Sequence, residues 1–488
     1  MKRCRIIAWC LVISLFTLSC RIFYIAGFKA QNVASYAHSG TEECGTNRGL
    51  IFDRNNQKLV EYESMKKQSV NNPAFTFSLP KRYSDTQLAP HLIGYTDYNN
   101  DGVCGIEKDY NTFLKSIQNK ITLKTYTDAK GNLLWGKGTQ ADYSHCDKSS
   151  GVKLTLDFDI QSTAQAEGAR LKKGCVIVLD SGSGEVLACA SYPAFNPNKP
   201  AEALDNQDKP FINRALSLYN VGSVFKLMVC MAALENGIRP GFSVKCTGST
   251  RCGSVTFHCH NEKGHGTMNM KTAFANSCNT YFIALAEKIG FFRIIELCEK
   301  LEMSSTYKLT DSMLMKAAAL PTKSVLSSPA GLANFSFGQG ELLCTPMMLA
   351  NLYSVINNGG YLNRVKLVQG TVRNSKFEPL TSTTSKRVIS AKTAFILQQF
   401  MYYAVTNGTG ATAQSSTVKI GGKTATAQTG KYLGNRECLI SYFIGVFSIK
   451  SDKYTVLVMK ENGTSGSGDC APIVKRIAEK IYCRSLKK

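Results

Sequence analysis

The 488-residue chain has no internal repeat and no low-complexity tract, which excludes solenoids, propellers and a disordered scaffold. Its 18 cysteines follow no regular framing and include no Cys-x-x-Cys pair, so a small disulfide scaffold is excluded too. Acidic residues are few: 35 face 58 Lys and Arg, a formal net charge of +23. In a cytosolic protein that imbalance would suggest nucleic acid, but the N-terminus argues for export. On an exported body it suggests attraction to anionic lipid headgroups or wall polymers. Hydrophobic residues make up 44 % of the chain, enough for a substantial core spread over two or three domains.

Long apolar runs are also scarce, and the one that matters is at the start. Lys2, Arg3 and Arg5 precede the run Ile6 to Cys20, which alone is too short for a bilayer. Continued past Arg21 to Ala26 it reaches the roughly 20 residues a spanning helix requires, with Arg21 snorkelling to the interface. No clean A-x-A site follows, so the segment reads as an uncleaved anchor. The basic flank places the short tail in the cytoplasm and the body outside.

Further along, "RGLIFDRNNQKLV" (48–60) reads as strand, turn at Asn55-Asn56, and strand. "VKLTLDFDIQSTAQAEGARL" (152–171) passes from alternation into a helical pattern. "GCVIVLDSGSGEVLACASYP" (174–193) is a β-hairpin reversing at Ser181–Gly184. "LISYFIGVFSI" and "KYTVLVMKE" form a second strand pair, and "PIVKRIAEKIYC" a closing helix with proline in its first turn. Strands at both ends of 150–488 surround a helix-rich middle, which gives an α+β domain whose sheet joins early and late chain. A linker at "DKSSG" divides the chain into an anchor (1–28), a pedestal (29–150) and a main domain (151–488).

In "VGSVFKLMVC", Ser223 and Lys226 stand three residues apart among apolar neighbours. On a helix they share a face. A lysine in an apolar wall is costly unless paired or lowered in pKa, and a lowered lysine beside a serine hydroxyl is what an activated nucleophile needs. The alternative is a lysine that snorkels to solvent. "FANSCNTYF" adds Ser277 and Asn279 ahead of an apolar helical run, and "GGKTATAQTG" adds Lys423 and Thr424 on a strand of small residues. Singly these are a helix cap and a strand edge. In the order S-x-x-K, S-x-N, K-T they match a known serine acyl-transferase set.

With "HLIGY…GVCGIEKDYN", "NRALSLYNVGSVFK" and "FGQGELLCTP" in register, the chain resembles the class B penicillin-binding proteins over nearly its whole length. The resemblance implies a penicillin-binding, serine-transpeptidase-like domain of antiparallel sheet, flanking helices and an all-helical subdomain. A short pedestal with a dimerisation-like role and a single-pass cell-membrane anchor would precede it. It implies D,D-transpeptidase activity on peptidoglycan stem peptides, as donor and acceptor, with release of terminal D-Ala and sensitivity to β-lactams. It also implies a membrane partner that polymerises glycan, and neither cofactor, metal nor nucleic acid.

The roles implied are these: Ser223 is the nucleophile and Lys226, kept neutral, its base; Ser277 relays a proton to the leaving amine and Asn279 holds the donor amide. Lys423 and Thr424 bind the terminal carboxylate, and the backbone N–H groups of Ser223 and Thr426 form the oxyanion hole. Four places depart from the family pattern. Val221 replaces proline, Asn56 replaces the glycine of D-R-N-G, and Ser441-Tyr442-Phe443 stands at a usual Trp-Phe pair. More consequential is Ala425, where glycine is usual; its methyl is expected to narrow the cleft.

"CTGSTRCGSVTFHCHNEKGHG" concentrates Cys246, Cys252, Cys259, His258, His260 and His265. Cysteine and histidine at such density could bind zinc, but the spacings are not of the Cys-x-x-Cys type. The resemblance implies instead a Cys246–Cys259 disulfide or free thiols. Three other readings share the serine chemistry or fold. A β-lactamase would need a glutamate for the deacylating water, and no candidate motif is seen. A β-lactam sensor would need several spanning segments, and a non-catalytic scaffold is favoured by Ala425 alone.

Overall fold

The structure is a computed structural model that describes residues 2–28, 38–43, 48–60, 63–69, 72–117, 119–127, 140–380 and 385–487. Much of the polar stretch following the anchor lies outside the described residues. The chain divides into two compact units. One contains Met1–Arg48, Glu61–Arg82 and Ile117–Lys148; the other contains Gly49–Val60, Tyr83–Ser116 and Ser149–Lys488. The expected pedestal, 29–150, is therefore shared between them.

In the first unit helix α1 (Lys2–Phe28) is the one helix among the described residues long and apolar enough to cross a membrane. Its large apolar side chains, Trp9 and Phe16 among them, are exposed, as lipid contact requires. A three-stranded antiparallel sheet joins His38–Glu43, Asn119–Thr127 and Gln140–Cys146, and a hairpin pairs Glu63–Ser69 with Asn72–Lys81.

The second unit is built on a five-stranded antiparallel sheet. Its strands are β1 (Gly174–Asp180), β2 (Val186–Tyr192), β3 (Gly421–Leu433), β4 (Arg436–Ile449) and β5 (Asp452–Glu461), in spatial order β3-β4-β5-β1-β2. Early and late chain thus share one sheet, as the alternation of the two strand pairs foretold. Both faces are buried, which is why β1 reads as a continuous apolar run. Cys175, Ile177 and Leu179 enter the main core, whereas Val176 and Val178 enter a second core beneath. Each such aliphatic side chain contributes about 1.5–3 kcal/mol on burial.

Helices α2 (Phe158–Gly168) and α8 (Ala471–Ser485) cover the second core. Asp157 caps α2 by accepting from the backbone of Asp159 and Ile160. The other face carries the helical middle: α3 (Lys226–Glu235), α4 (Met270–Ala275), α5 (Asn279–Ile289), α6 (Pro346–Asn357) and α7 (Ala391–Asn407). The segment Leu50–Phe52 pairs in parallel with Gly151–Leu154, and Asp53 receives the Phe158 amide at 3.1 Å. Asn56 sits at φ +65°, a left-handed turn that asparagine tolerates. Of the second expected strand only a single bridge forms, Phe52 to Lys58.

Candidate active site

The segment carrying Ser223 is a short 3-10 turn, Gly222–Phe225, running directly into α3 at Lys226. Three hydrogen bonds hold it without using the Ser223 side chain. Tyr442 Oη on β4 donates to Asn220 O at 2.9 Å, Gly222 N donates to Gly338 O at 2.7 Å, and Tyr353 Oη on α6 donates to Val224 O at 2.9 Å. The two tyrosines are fully buried, so their hydroxyls require such partners. Gly338 has φ +79°, and a Cβ there would lie 2.1 Å from Gly222 O. Gly338→Ala is therefore expected to cost about 2–4 kcal/mol through backbone strain and overlap. A thermal melt followed by circular dichroism would record it as a drop of several degrees.

Lys226 is fully buried. Its Nζ donates to Ser277 O at 2.6 Å, to Ser277 Oγ at 3.1 Å and to Asn279 Oδ1 at 2.7 Å. The snorkelling alternative is excluded. Among the described residues no carboxylate contacts the amine, and burial lowers its pKa from 10.5 to about 7. Ser277 lies in the turn between α4 and α5 at φ +53°, a strained conformation for a residue with a Cβ. The Cys278 amide, bonded to Ala273 O at 3.0 Å, and the Lys226 contact hold it there.

Lys423 is also fully buried, on β3, and its Nζ donates to Thr424 O at 2.9 Å. Burial, and then the nearby Lys226 charge, drive its pKa well below the usual lysine value. Thr424 is 8 % exposed and shares its hydroxyl with Thr409 at 2.7 Å, whereas Thr426 is exposed. Strand alternation puts Lys423, Ala425 and Ala427 on one face. That face meets the Ser223 turn, because a Cβ on Gly222 would lie 3.0 Å from the Ala427 Cβ. The Ala425 methyl points the same way and is only 3 % exposed.

The fold thus gathers Lys226, Ser277 and Asn279 by direct contact and brings Lys423 close enough to repel Lys226, with Ser223 on the turn that abuts β3. A cavity of about 720 Å³ opens beside them, lined by Asn220, Asn279, Gln339, Gln428, Thr429 and Phe257 among others. Its size falls within the range of about 300–1,000 Å³ for ligand sites. Asn220, Thr409 and the two supporting tyrosines carried no signal of their own in the sequence.

Beneath β3, Asp469 accepts from Lys460 at 2.7 Å, from the Thr464 and Ser465 amides at 2.6 and 3.0 Å, and from Ser441 Oγ at 3.2 Å. Burial alone would raise this carboxyl, but those donors outweigh it and hold it at about 2. No disulfide links Cys246 to Cys259.

Residues 174–479 match the family described as the penicillin binding protein transpeptidase domain. The chain is 29 % identical over 425 residues to Stage V sporulation protein D of Bacillus subtilis, covering 81 % of this chain and 63 % of that protein. It is 27 % identical to Peptidoglycan D,D-transpeptidase FtsI of Buchnera aphidicola, covering 82 % and 69 %. Among solved structures it is similar to penicillin binding protein 3 of Mycobacterium tuberculosis complexed with ampicillin. That likeness has a TM-score of 0.71 at 24 % identity, covering 92 % of this chain and 96 % of that one.

Proposed function

Because the chain belongs to the penicillin-binding protein transpeptidases, we propose that it is a peptidoglycan D,D-transpeptidase acting through a Ser223 acyl-enzyme. The observation that carries this reading is the buried, carboxylate-free Lys226, bonded to Ser277 and Asn279 one helical turn from Ser223. Neutral Lys226 takes the Ser223 proton as Oγ attacks the carbonyl of the penultimate D-Ala. The amide C–N bond breaks, Ser277 passes a proton to the leaving D-Ala amine, and an ester remains on Ser223. The amine of a neighbouring stem peptide then attacks that ester and regenerates the serine.

Asn279 faces the donor amide, and the Ser223 and Thr426 amides stabilise the oxyanion. Lys423 and Thr424 serve the terminal carboxylate. The exposed Thr426 hydroxyl is available to it as well, since that of Thr424 is already shared with Thr409. The polar groove along Gln428 and Thr429 suits an extended peptide lying beside β3. We place α1 in the cell membrane with its N-terminus in the cytoplasm, on its flanking Lys2, Arg3 and Arg5. A monofunctional transpeptidase also needs a membrane partner that polymerises glycan.

The test is to incubate the detergent-solubilised full chain with a fluorescent penicillin and follow its intact mass for hours. A stable adduct supports the transpeptidase; rapid drug turnover would mean a β-lactamase, and no adduct a scaffold. Ala425 supplies a graded version. Ala425→Gly removes a methyl from the face meeting the nucleophile turn and is expected to speed acylation roughly fivefold, the equivalent of about 1 kcal/mol. A stopped-flow measurement of penicillin binding checks it, and an unchanged rate would show that the methyl does not narrow the cleft.

A further inference from the structure

The motif serine and asparagine, Ser277 and Asn279, flank a cysteine, and that cysteine is not alone. Strand Ser243–Cys246 pairs antiparallel with Gly266–Asn269 in a register that sets Cys246 opposite Gly266, beside His265. A second hairpin, Ser249–Cys252 with Val255–His258, returns the chain so that the Cys259 amide bonds Gly248 O at 2.8 Å. Cys278 reaches the same point from the N-terminus of α5. The ligand atoms of Cys246, Cys259, His265 and Cys278 all lie within 4.8 Å of one another, and the three cysteines are buried.

The individual distances are more telling. His265 Nδ1 lies 3.5 Å from both Cys246 Sγ and Cys259 Sγ, and Cys259 Sγ lies 3.9 Å from Cys278 Sγ. A tetrahedral zinc with Zn–S of about 2.3 Å and Zn–N of about 2.0–2.1 Å sets its ligands about 3.8 Å (S to S) and about 3.6 Å (N to S) apart. A disulfide would need sulfurs about 2.05 Å apart. These three edges match those of a coordination tetrahedron, and every ligand pair lies within 4.8 Å.

We propose that Cys246, Cys259, His265 and Cys278 bind one zinc ion. Four protein ligands close the coordination sphere, which makes the site structural, and a thiolate-rich set favours zinc over magnesium, calcium or manganese. The ion ties both hairpins to the turn that carries Ser277 and Asn279. The same loop touches Asn279 directly, because Asn279 Nδ2 donates to His258 O at 3.1 Å. The expectation of no metal is revised on this point, for a reason of topology. The fourth ligand, Cys278, lies outside the cysteine- and histidine-rich stretch.

The test uses the full chain, purified in detergent without added metal and passed over a weak chelating resin. Elemental analysis should find about one zinc per chain, as a closed four-ligand site retains its ion. Cys259→Ser and His265→Ala should each lower that at least fivefold. Cys252→Ser, in the same loop but packed in a separate cluster with Ile283 and Ala333, should keep it. Should the ligand variants misfold, cobalt exchanged into the unmodified protein gives an independent readout: intense thiolate-to-cobalt charge-transfer absorption supports the site. A chain without stoichiometric zinc whose Cys259 and Cys278 form a disulfide on peptide mapping would overturn it, as would zinc retained in both ligand variants. The metal count does not depend on acylation, so it can fail separately from the enzymatic reading.

Discussion

The Ser223→Ala protein is expected to form no covalent adduct with a penicillin and to lose donor-substrate turnover by on the order of 10⁶-fold, as removal of a serine nucleophile does elsewhere. Its folding should be unaffected. The bonds that fix the turn run through Asn220 O, the Gly222 amide and Val224 O, and none involves the Ser223 hydroxyl. Removing one oxygen from a half-buried turn residue is worth at most about 0.5 kcal/mol, so the melting temperature should shift by no more than a degree or two. Intact mass after penicillin treatment, with the melt as control, decides the matter. An adduct that survives the substitution would point to another nucleophile, the exposed Thr426 hydroxyl or the partly exposed Cys438 thiol.

Strands β1, β2, β4 and β5 were legible because they are largely apolar on both faces and pair through turns of characteristic chemistry, whereas β3 is a run of small and polar residues. Ser181–Gly184 reverses β1 into β2, and Lys450-Ser451 reverses β4 into β5. The S-x-x-K pair was legible because a serine and a lysine one turn apart in an apolar segment conflict with simple core packing. What remained hidden depends on long-range closure. Nothing local marks Tyr353 or Tyr442 as supports of the Ser223 turn, since a buried tyrosine looks like any core aromatic until its hydroxyl partner is known. Cys278 was hidden for the same reason. Between a serine and an asparagine it reads as filler, and only the return of two hairpins places it against Cys246, Cys259 and His265. Ala425 lies on β3, where its methyl is almost completely covered. That coverage comes from residues distant in the chain, Gly466 among them, and could not be read from β3 alone.

Lys226→Met is expected to slow acylation by roughly 10³-fold, the typical contribution of a positioned general base. In the proposed role as base the amine acts in its neutral form, which a pKa of about 7 makes available near physiological pH. Burial removes water from Nζ, and the neighbouring thiols Cys278, Cys259 and Cys230 only partly restore the charged form, leaving a pKa of about 7. A positive Lys423 nearby would disfavour that charge further, and burial lowers Lys423 in turn. In the folded chain Lys226 binds fewer protons than in the unfolded chain between about pH 7 and 10.5, so its contribution to stability becomes more favourable as pH rises through that window. The acylation rate should follow the neutral fraction. It climbs about tenfold per pH unit below 7 and flattens above it. Rapid-mixing penicillin kinetics from pH 5.5 to 9 measures this on the unmodified chain, and the same series on Lys226→Met should be slow and flat. A pH-independent rate in the unmodified protein would remove Lys226 from the role of base. Ser277 and Asn279 would then hold it as a charged anchor for the turn, and the substitution would register mainly in the melt.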